Sequence, residues 1–261
     1  MKKILLLLII VLFHSGIYAQ NDSIYFWKQN TLIHKQSIKT ADLDSITFRR
    51  PATLVQIYPA GSVFCASGAT AVLNVTNPAT GKIWMDRNLG ATQAATSSTD
   101  ANSYGDLYQW GRRSDGHQCR TSPTTTTLSS TDQPANGSFI ITASLPFDWR
   151  SPQNDNLWQG VNGVNNPCPS GYRLPTETEL NAERTSWSQN NSEGAFASPL
   201  KLPMASYRLG YGSLGSVGTE GGYWSSTVIS SFSRYLYFLS SDAFMSSNRR
   251  AGGLSVRCLK D

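Results

Sequence analysis

Two histidines, a few spaced carboxylates and four cysteines are the residues of this chain that can do chemistry. Past the first nineteen residues the histidines are His34 and His117. His117-Gln118-Cys119 offers two ligands to a metal ion, but neither Cys-x-x-Cys nor a paired His stands near it to complete a site. Glu179 and Glu183 lie one helical turn apart and resemble an acid pair, yet their position reads as a solvated helix face. Asp148 and Asp155, with Asn154 and Asn156, offer oxygens to calcium; their spacing matches no calcium loop and reads as Asx-rich turns. His-Glu-x-x-His, Gly-x-Ser-x-Gly and a phosphate loop are missing from the sequence. The expectation is a protein that is not an enzyme, holds no metal and needs no cofactor.

A different kind of chemistry stands near the C-terminus. Arg234 to Met245 reads as a hairpin turned at Ser240-Ser241. Side chains alternate along a strand, so Leu236, Phe238, Ala243 and Met245 share one face. Tyr235, Tyr237, Leu239, Asp242 and Phe244 then share the other. A second face rich in aromatics is either a second core layer or a surface that touches another molecule.

The elements that must position these residues are short and numerous. Leu174-Pro175-Thr176-Glu177-Thr178-Glu179 carries a capping box, Thr176 with Glu179, and predicts a helix running to about Ser186. Asn77-Pro78-Ala79-Thr80-Gly81 predicts a turn between strands at Val72 to Val75 and Lys82 to Asp86. Tyr104 to Gly111 is aromatic and predicts core packing, and Thr121 to Thr131 predicts an exposed loop. Leu209 to Gly222 holds six glycines and predicts a long irregular loop. Tyr223-Trp224-Ser225-Ser226-Thr227 starts a strand, and Leu254 to Leu259 supplies a closing one. Ile24 to Phe48 predicts two short strands about Gln29-Asn30, an N-terminal appendage joined through Arg49-Arg50-Pro51 to a main domain starting near Leu54. The fold class is α+β, with short antiparallel strands, few helices and long loops.

Met1 to Ala19 reads as a secretory leader: Lys2 and Lys3, an apolar run from Ile4 to Phe13, then small residues. The run is too short to span a bilayer, and no Cys follows it to take a lipid. A secreted or cell-surface protein is expected. The 39% hydrophobic and 11% aromatic content is enough for a proper core, and only 15% of residues are charged, which suits a strand-rich extracellular chain. Net charge is +5, and removal of Lys2 and Lys3 leaves about +3. Basic residues fall in scattered pairs (Arg49-Arg50, Arg112-Arg113, Arg249-Arg250) and form no stripe, which argues against nucleic-acid binding. Cys65, Cys119, Cys168 and Cys258 predict two disulfides, with three connectivities open.

Five ordered segments resemble a known family: Gly81 to Gly90 (Gly-Lys-Ile-Trp-Met-Asp-Arg-Asn-Leu-Gly), Tyr104 to Gly111, Cys168 to Thr176 (Cys-Pro-Ser-Gly-Tyr-Arg-Leu-Pro-Thr), Tyr223 to Thr227, and Ser255 to Cys258. Together they are similar to the Fibrobacter succinogenes major paralogous domain, over residues 54–261. The resemblance implies a C-type lectin-like fold, distantly similar to formylglycine-generating enzymes, in which the first and last strands pair. It also implies that Cys168 bridges Cys258, leaving Cys65 with Cys119. Two functions of the wider fold do not carry over. Gln133-Pro134-Ala135 lacks the carboxylate of a sugar-binding lectin's Glu-Pro-Asn or Gln-Pro-Asp, and no Trp-Asn-Asp follows. Cys258 stands alone in the C-terminal part, where the oxidase needs two nearby cysteines.

The terminal segment further resembles the variable region of C-type lectin-like proteins diversified by retroelements. The implied framework is Arg234, Leu236, Phe238, Ser240, Ser241, Ala243, Met245, Arg250, Ala251, Gly253 and Ser255 to Cys258. The implied variable, ligand-binding set is Tyr235, Tyr237, Leu239, Asp242, Phe244, Ser246, Ser247, Asn248, Arg249 and Gly252. Each of the ten can be coded by a triplet ending in C, as adenine replacement in AAC codons would give, and none is Lys, Glu, Gln, Met or Trp. The functional expectation is a non-enzymatic binding module whose partner is a protein or glycan on another cell. A structural envelope or matrix component and, behind it, an oxidase or polysaccharide hydrolase are the alternatives.

Overall fold

A computed structural model describes residues 58–65 and 68–261, together with the backbone of 17–20, 23–28 and 31–37. The expected leader core, the Arg49-Arg50-Pro51 joint and the domain start at Leu54 lie outside the described residues. The chain divides into two units, Met1–Pro51 and Ala52–Asp261. The first holds an antiparallel meander of β1 (Ile17–Gln20), β2 (Ser23–Lys28) and β3 (Thr31–Ser37). Lys28 pairs with Thr31 across Gln29-Asn30, and a bulge falls between Phe26 and Trp27. Three residues of β1, Ile17 to Ala19, belong to the stretch expected to be a leader.

Among its described residues the second unit is built from small, mostly antiparallel sheets, two α-helices and a short 3-10 helix at Ala101–Ser103. β4 (Asn74–Thr76) and β5 (Ile83–Met85) form the hairpin expected at Asn77 to Gly81, and Asn77 Oδ1 accepts from the Ala79 amide at 2.9 Å inside the turn. The last strand, β16 (Leu259–Lys260), lies between β5 and β9 (Tyr172–Arg173). The closing strand therefore pairs with the second described strand of this unit and not with the first, because β4 occupies the other edge of β5. A second sheet runs β11 (Leu214–Gly215), β10 (Tyr207–Arg208), β15 (Gly253–Leu254), β6 (Tyr108–Gln109). A third is the meander β12 (Glu220–Ile229), β13 (Phe232–Leu239), β14 (Ala243–Arg249). Two short strands, β7 (Thr124–Thr125) and β8 (Phe139–Ile140), pair in parallel.

Helix α1 (Glu177–Thr185) starts where its capping box dictates: Thr176 accepts from the Glu179 amide and Glu179 accepts from the Thr176 amide at 2.8 Å. Helix α2 (Ser192–Ala197) is capped by Asn191. Glu183 corrects the reading of a solvated acid pair. It is fully buried, accepting from Asn77 Nδ2 at 2.6 Å and Trp187 Nε1 at 3.1 Å. Glu179 is likewise engaged, held bidentately by Arg173 at 2.8 and 2.9 Å. The glycine-rich stretch is also corrected. Tyr207 pairs with Gly215 and Arg208 with Leu214, while Glu220 to Gly222 already belong to β12.

The meander sheet divides two cores. Tyr223, Leu236, Phe238 and Ala243 pack with Leu180 and Trp187 of the α1 region, Leu200, Leu202 and Leu259. Phe238 stacks on Tyr223 at 5.8 Å and meets Trp187 edge-on at 5.7 Å. Its ring lies over Gly221, where a Cβ would sit 2.2 Å from it, so only glycine fits. On the other side Trp224 joins Trp110, Trp149, Trp158, Tyr108 and Val256. The Trp224 indole donates to Tyr108 O at 2.7 Å and the Trp110 indole to Ser225 O at 2.9 Å. The aromatic run from Tyr104 is thus core, as its composition predicts. Arg257, fully buried, fastens the terminal segment by donating to Asn88 Oδ1 (3.1 Å) and Leu200 O (2.7 Å). Disulfides join Cys65 to Cys119 and Cys168 to Cys258, with Cα separations of 5.5 and 5.9 Å.

Candidate binding hollow on the terminal hairpin

The β13–β14 hairpin turns at Ser240-Ser241, where the Leu239 amide donates to Asp242 O at 2.9 Å. Its register sets Tyr237 opposite Phe244 and Tyr235 opposite Ser246, with Leu236 opposite Met245 and Phe238 opposite Ala243. One face is therefore the core wall: Leu236 and Phe238 are fully buried and Ala243 nearly so. The other face carries a row of rings. Trp224 meets Tyr235 at 5.9 Å, Tyr235 meets Tyr237 at 6.2 Å and Tyr237 meets Phe244 at 5.2 Å. Burial falls steadily along it, from Trp224 in the core, through two half-buried tyrosines, to Phe244 at 41% exposure.

This row floors a hollow of about 700 Å³. Tyr235, Tyr237, Phe244, Ser246, Asn248, Arg249 and Gly252 line it, seven of the ten positions singled out from sequence. The facing wall comes from residues not expected at a site: Thr142, Ala143 and Phe147, Tyr207 and Arg208, and Leu209 to Tyr211 at the start of the glycine-rich stretch. Tyr211, an aromatic between Gly210 and Gly212, is the signal that was available there. The start of the glycine-rich stretch thus walls the hollow, with Phe244 exposed and Tyr235 and Tyr237 half-buried.

The polar groups of the hollow are fixed. Burial, then the hydrogen bond and charge of Glu220, hold the Tyr237 phenol above its ordinary range. Burial also raises the Tyr235 phenol, against a hydrogen bond with Ser246. Both phenols stay neutral and act as donors at ordinary pH. The Arg249 guanidinium lies 3.6 Å over the Phe147 ring, and Arg208 lies 4.3 Å over Phe139 while donating to Gly212 O and Ser122. Rigid rings with few rotatable bonds, interspersed with amide, hydroxyl and guanidinium groups, give large contact area at low ordering cost.

Three of the ten positions fall elsewhere. Ser247 lies on the opposite face, where its Oγ accepts from Arg234 at 2.8 Å. Asp242 closes the turn, accepting from Asn190 and the Ala243 amide, both at 2.7 Å. Leu239, half-buried at the turn, lies outside the hollow.

The other chemical candidates hold the fold together. The His117 Nε2 accepts from the Gln109 amide at 3.0 Å and its Nδ1 donates to Asp115 at 2.6 Å, so both ring nitrogens are engaged. Burial, reinforced by Arg112 and opposed by Asp115, lowers its pKa to about 4. Cys119 is in a disulfide. Asp148 and Asp155 flank the buried Arg250, the latter at 2.6 Å. Among the described residues no three His, Cys, Asp or Glu side chains converge on a point that could hold a metal, and no helix is long and apolar enough to cross a membrane. The chain matches no protein-family model, no curated protein and no solved structure.

Proposed function

We propose that this chain is an exported, non-enzymatic recognition module with a C-type lectin-like fold, and that the hollow on its terminal hairpin takes a protein or glycan of another cell surface. One observation carries the reading: seven of ten positions chosen from sequence alone line a single hollow, while framework positions Leu236, Phe238, Ala243, Arg250, Gly253 and Ser255 to Cys258 are buried and, of the framework, Ala251 alone joins the lining. Two disulfides support an oxidising destination. The same division of labour supports diversification of the lining set.

The test is to screen the leader-free chain against arrayed surface glycans and proteins, beside a Tyr237→Ala/Phe244→Ala double variant. Binders should be retained by the parent and weakened about tenfold or more in the variant, because aromatic anchors dominate such contacts. Equal binding by a correctly folded variant would move recognition away from this hollow. The coding DNA gives an independent check on diversification, since all ten codons should end in C.

A further inference from the structure

A second hollow, of about 460 Å³, opens between the segment at Tyr58 to Ser62 and the segment at Val161 to Gly171. Its lining differs in kind from the aromatic hollow. Serine hydroxyls and Asn and Gln amides predominate, and no Asp or Glu is among the lining residues. Tyr58 is its sole aromatic; that ring is buried and its hydroxyl is spent on Thr70 O at 2.8 Å. Stacking is therefore not what this hollow offers.

What it offers is a charge with no carboxylate partner among the described residues. Arg113 is half-buried at its wall, donating to Gly61 O at 2.9 Å and to Gln133 Oε1 at 3.1 Å, both neutral acceptors. Among the described residues no ion pair includes Arg113. The carboxylates close to it in sequence and along the wall are taken: Asp115 by Arg112 and His117, Asp132 by Arg150. The guanidinium lies so close to the Gly61 backbone that a Cβ there would stand 2.5 Å from Nη2, at a residue already in the left-handed region (φ +76°). The side chain is held in place by neutral acceptors, and no described carboxylate pairs with it.

Both walls are rigid. Val63 donates to Ser114 O at 2.7 Å and accepts from Gln118 at 2.8 Å, and the Cys65–Cys119 bridge closes the same segment. Opposite, Asn165 donates to Gly111 O, Asn166 donates to Tyr172 O, and Cys168 is bridged to Cys258. Ser170 and Asn162 stand exposed at the rim with polar groups turned to solvent.

We propose that this hollow is a second binding site, for the carboxylate-bearing sugar of an acidic saccharide. A single guanidinium presents parallel N–H donors that match one carboxylate, and its lone positive charge matches one negative charge. The volume is that of an organic ligand, far larger than a simple ion needs. Hydroxyl and amide groups around the cation answer the ring hydroxyls of a sugar, and Pro59, Ala60, Val161 and Pro169 offer small apolar surface to the C–H face of its ring.

The experiment is saturation-transfer NMR on the full secreted chain with D-glucuronate, D-glucose, inorganic sulfate and a short aspartate-containing peptide as probes. Glucuronate should bind and glucose should not. Arg113→Gln should weaken glucuronate by about tenfold or more, the loss of one charge-assisted contact, with Arg113→Lys intermediate and Tyr237→Ala without effect. Equal response to glucose, displacement by sulfate or by the peptide at equal concentration, or an unchanged Arg113→Gln would overturn the assignment. Should Arg113→Gln fail to fold, Ser170→Trp at the exposed rim fills the same hollow from outside, and undiminished glucuronate binding by that variant overturns it equally. Tyr237→Ala is the one arm that touches the aromatic hollow: loss of glucuronate binding there with Arg113→Gln unchanged would put the sugar in that hollow and overturn this assignment, so the two sites are read separately.

Discussion

Asp106 and His117 are both nearly or fully buried, and their titrations pull stability in opposite directions. Burial, opposed by Arg120, lifts the Asp106 carboxyl from 3.8 to about 7. The folded state then keeps a proton that the unfolded chain has released, so this group favours the fold below about pH 4 and its contribution is lost as pH rises through 7. His117 does the reverse: with a folded pKa of about 4 against 6.5, it costs the fold stability as pH drops between those values. Asp106→Asn should leave the histidine slope unopposed. Its stability at about pH 8 should exceed the parent's by about 1–3 kcal/mol, with the difference gone by about pH 4. Denaturant titrations across that range measure it, and parallel curves for the two proteins would refute it.

At the scale of elements, helix α1 shows what sequence could and could not announce. The capping box was legible because both its partners lie within four residues, and the β4–β5 turn because Asn77 to Gly81 is a local signal. Glu183 was not legible. Its partner Asn77 is 106 residues away, so nothing near it in the chain distinguishes a buried acceptor from a solvated acid. The glycine-rich stretch misled for a similar reason, since its β11 is drawn into a sheet by β10, which in turn pairs with Gly253 of the distant C-terminal segment. The hairpin faces followed from alternation alone, yet the depth of Tyr235 and Tyr237 depended on a wall contributed by residues 142–147 and 207–211. Thr176→Ala should cost about 1 kcal/mol, as an N-cap does. Glu183→Ala should cost more, about 2–4 kcal/mol, because it strands the Asn77 amide and the Trp187 indole. Chemical denaturation of the two variants decides it, and a milder loss for Glu183→Ala would contradict the buried arrangement.

At the scale of the whole second unit, the two disulfides close loops of different span and purpose. Cys168–Cys258 lies in the tryptophan core and ties residues 90 apart, whereas Cys65–Cys119 ties residues 54 apart. Replacing Cys168 and Cys258 together by alanine should remove about 2–5 kcal/mol, and the entropic advantage of the longer loop over the shorter is under about 0.5 kcal/mol. Any larger gap between the two double variants would come from lost packing around Cys168 and Cys258. Unfolding midpoints of both variants, compared with the parent under non-reducing conditions, give the numbers. Equal small losses would show that the core closes without the bridge.

The meander sheet has a consequence for how this protein can change over generations. Along the paired stretches Tyr235 to Phe238 and Ala243 to Ser246, residues that face the core alternate with residues that line the hollow. On the proposed reading, substitutions in the outward set change what the hollow meets, while the inward set preserves the shape that displays it. Novelty and durability are kept apart by nothing more than the pleat of a strand.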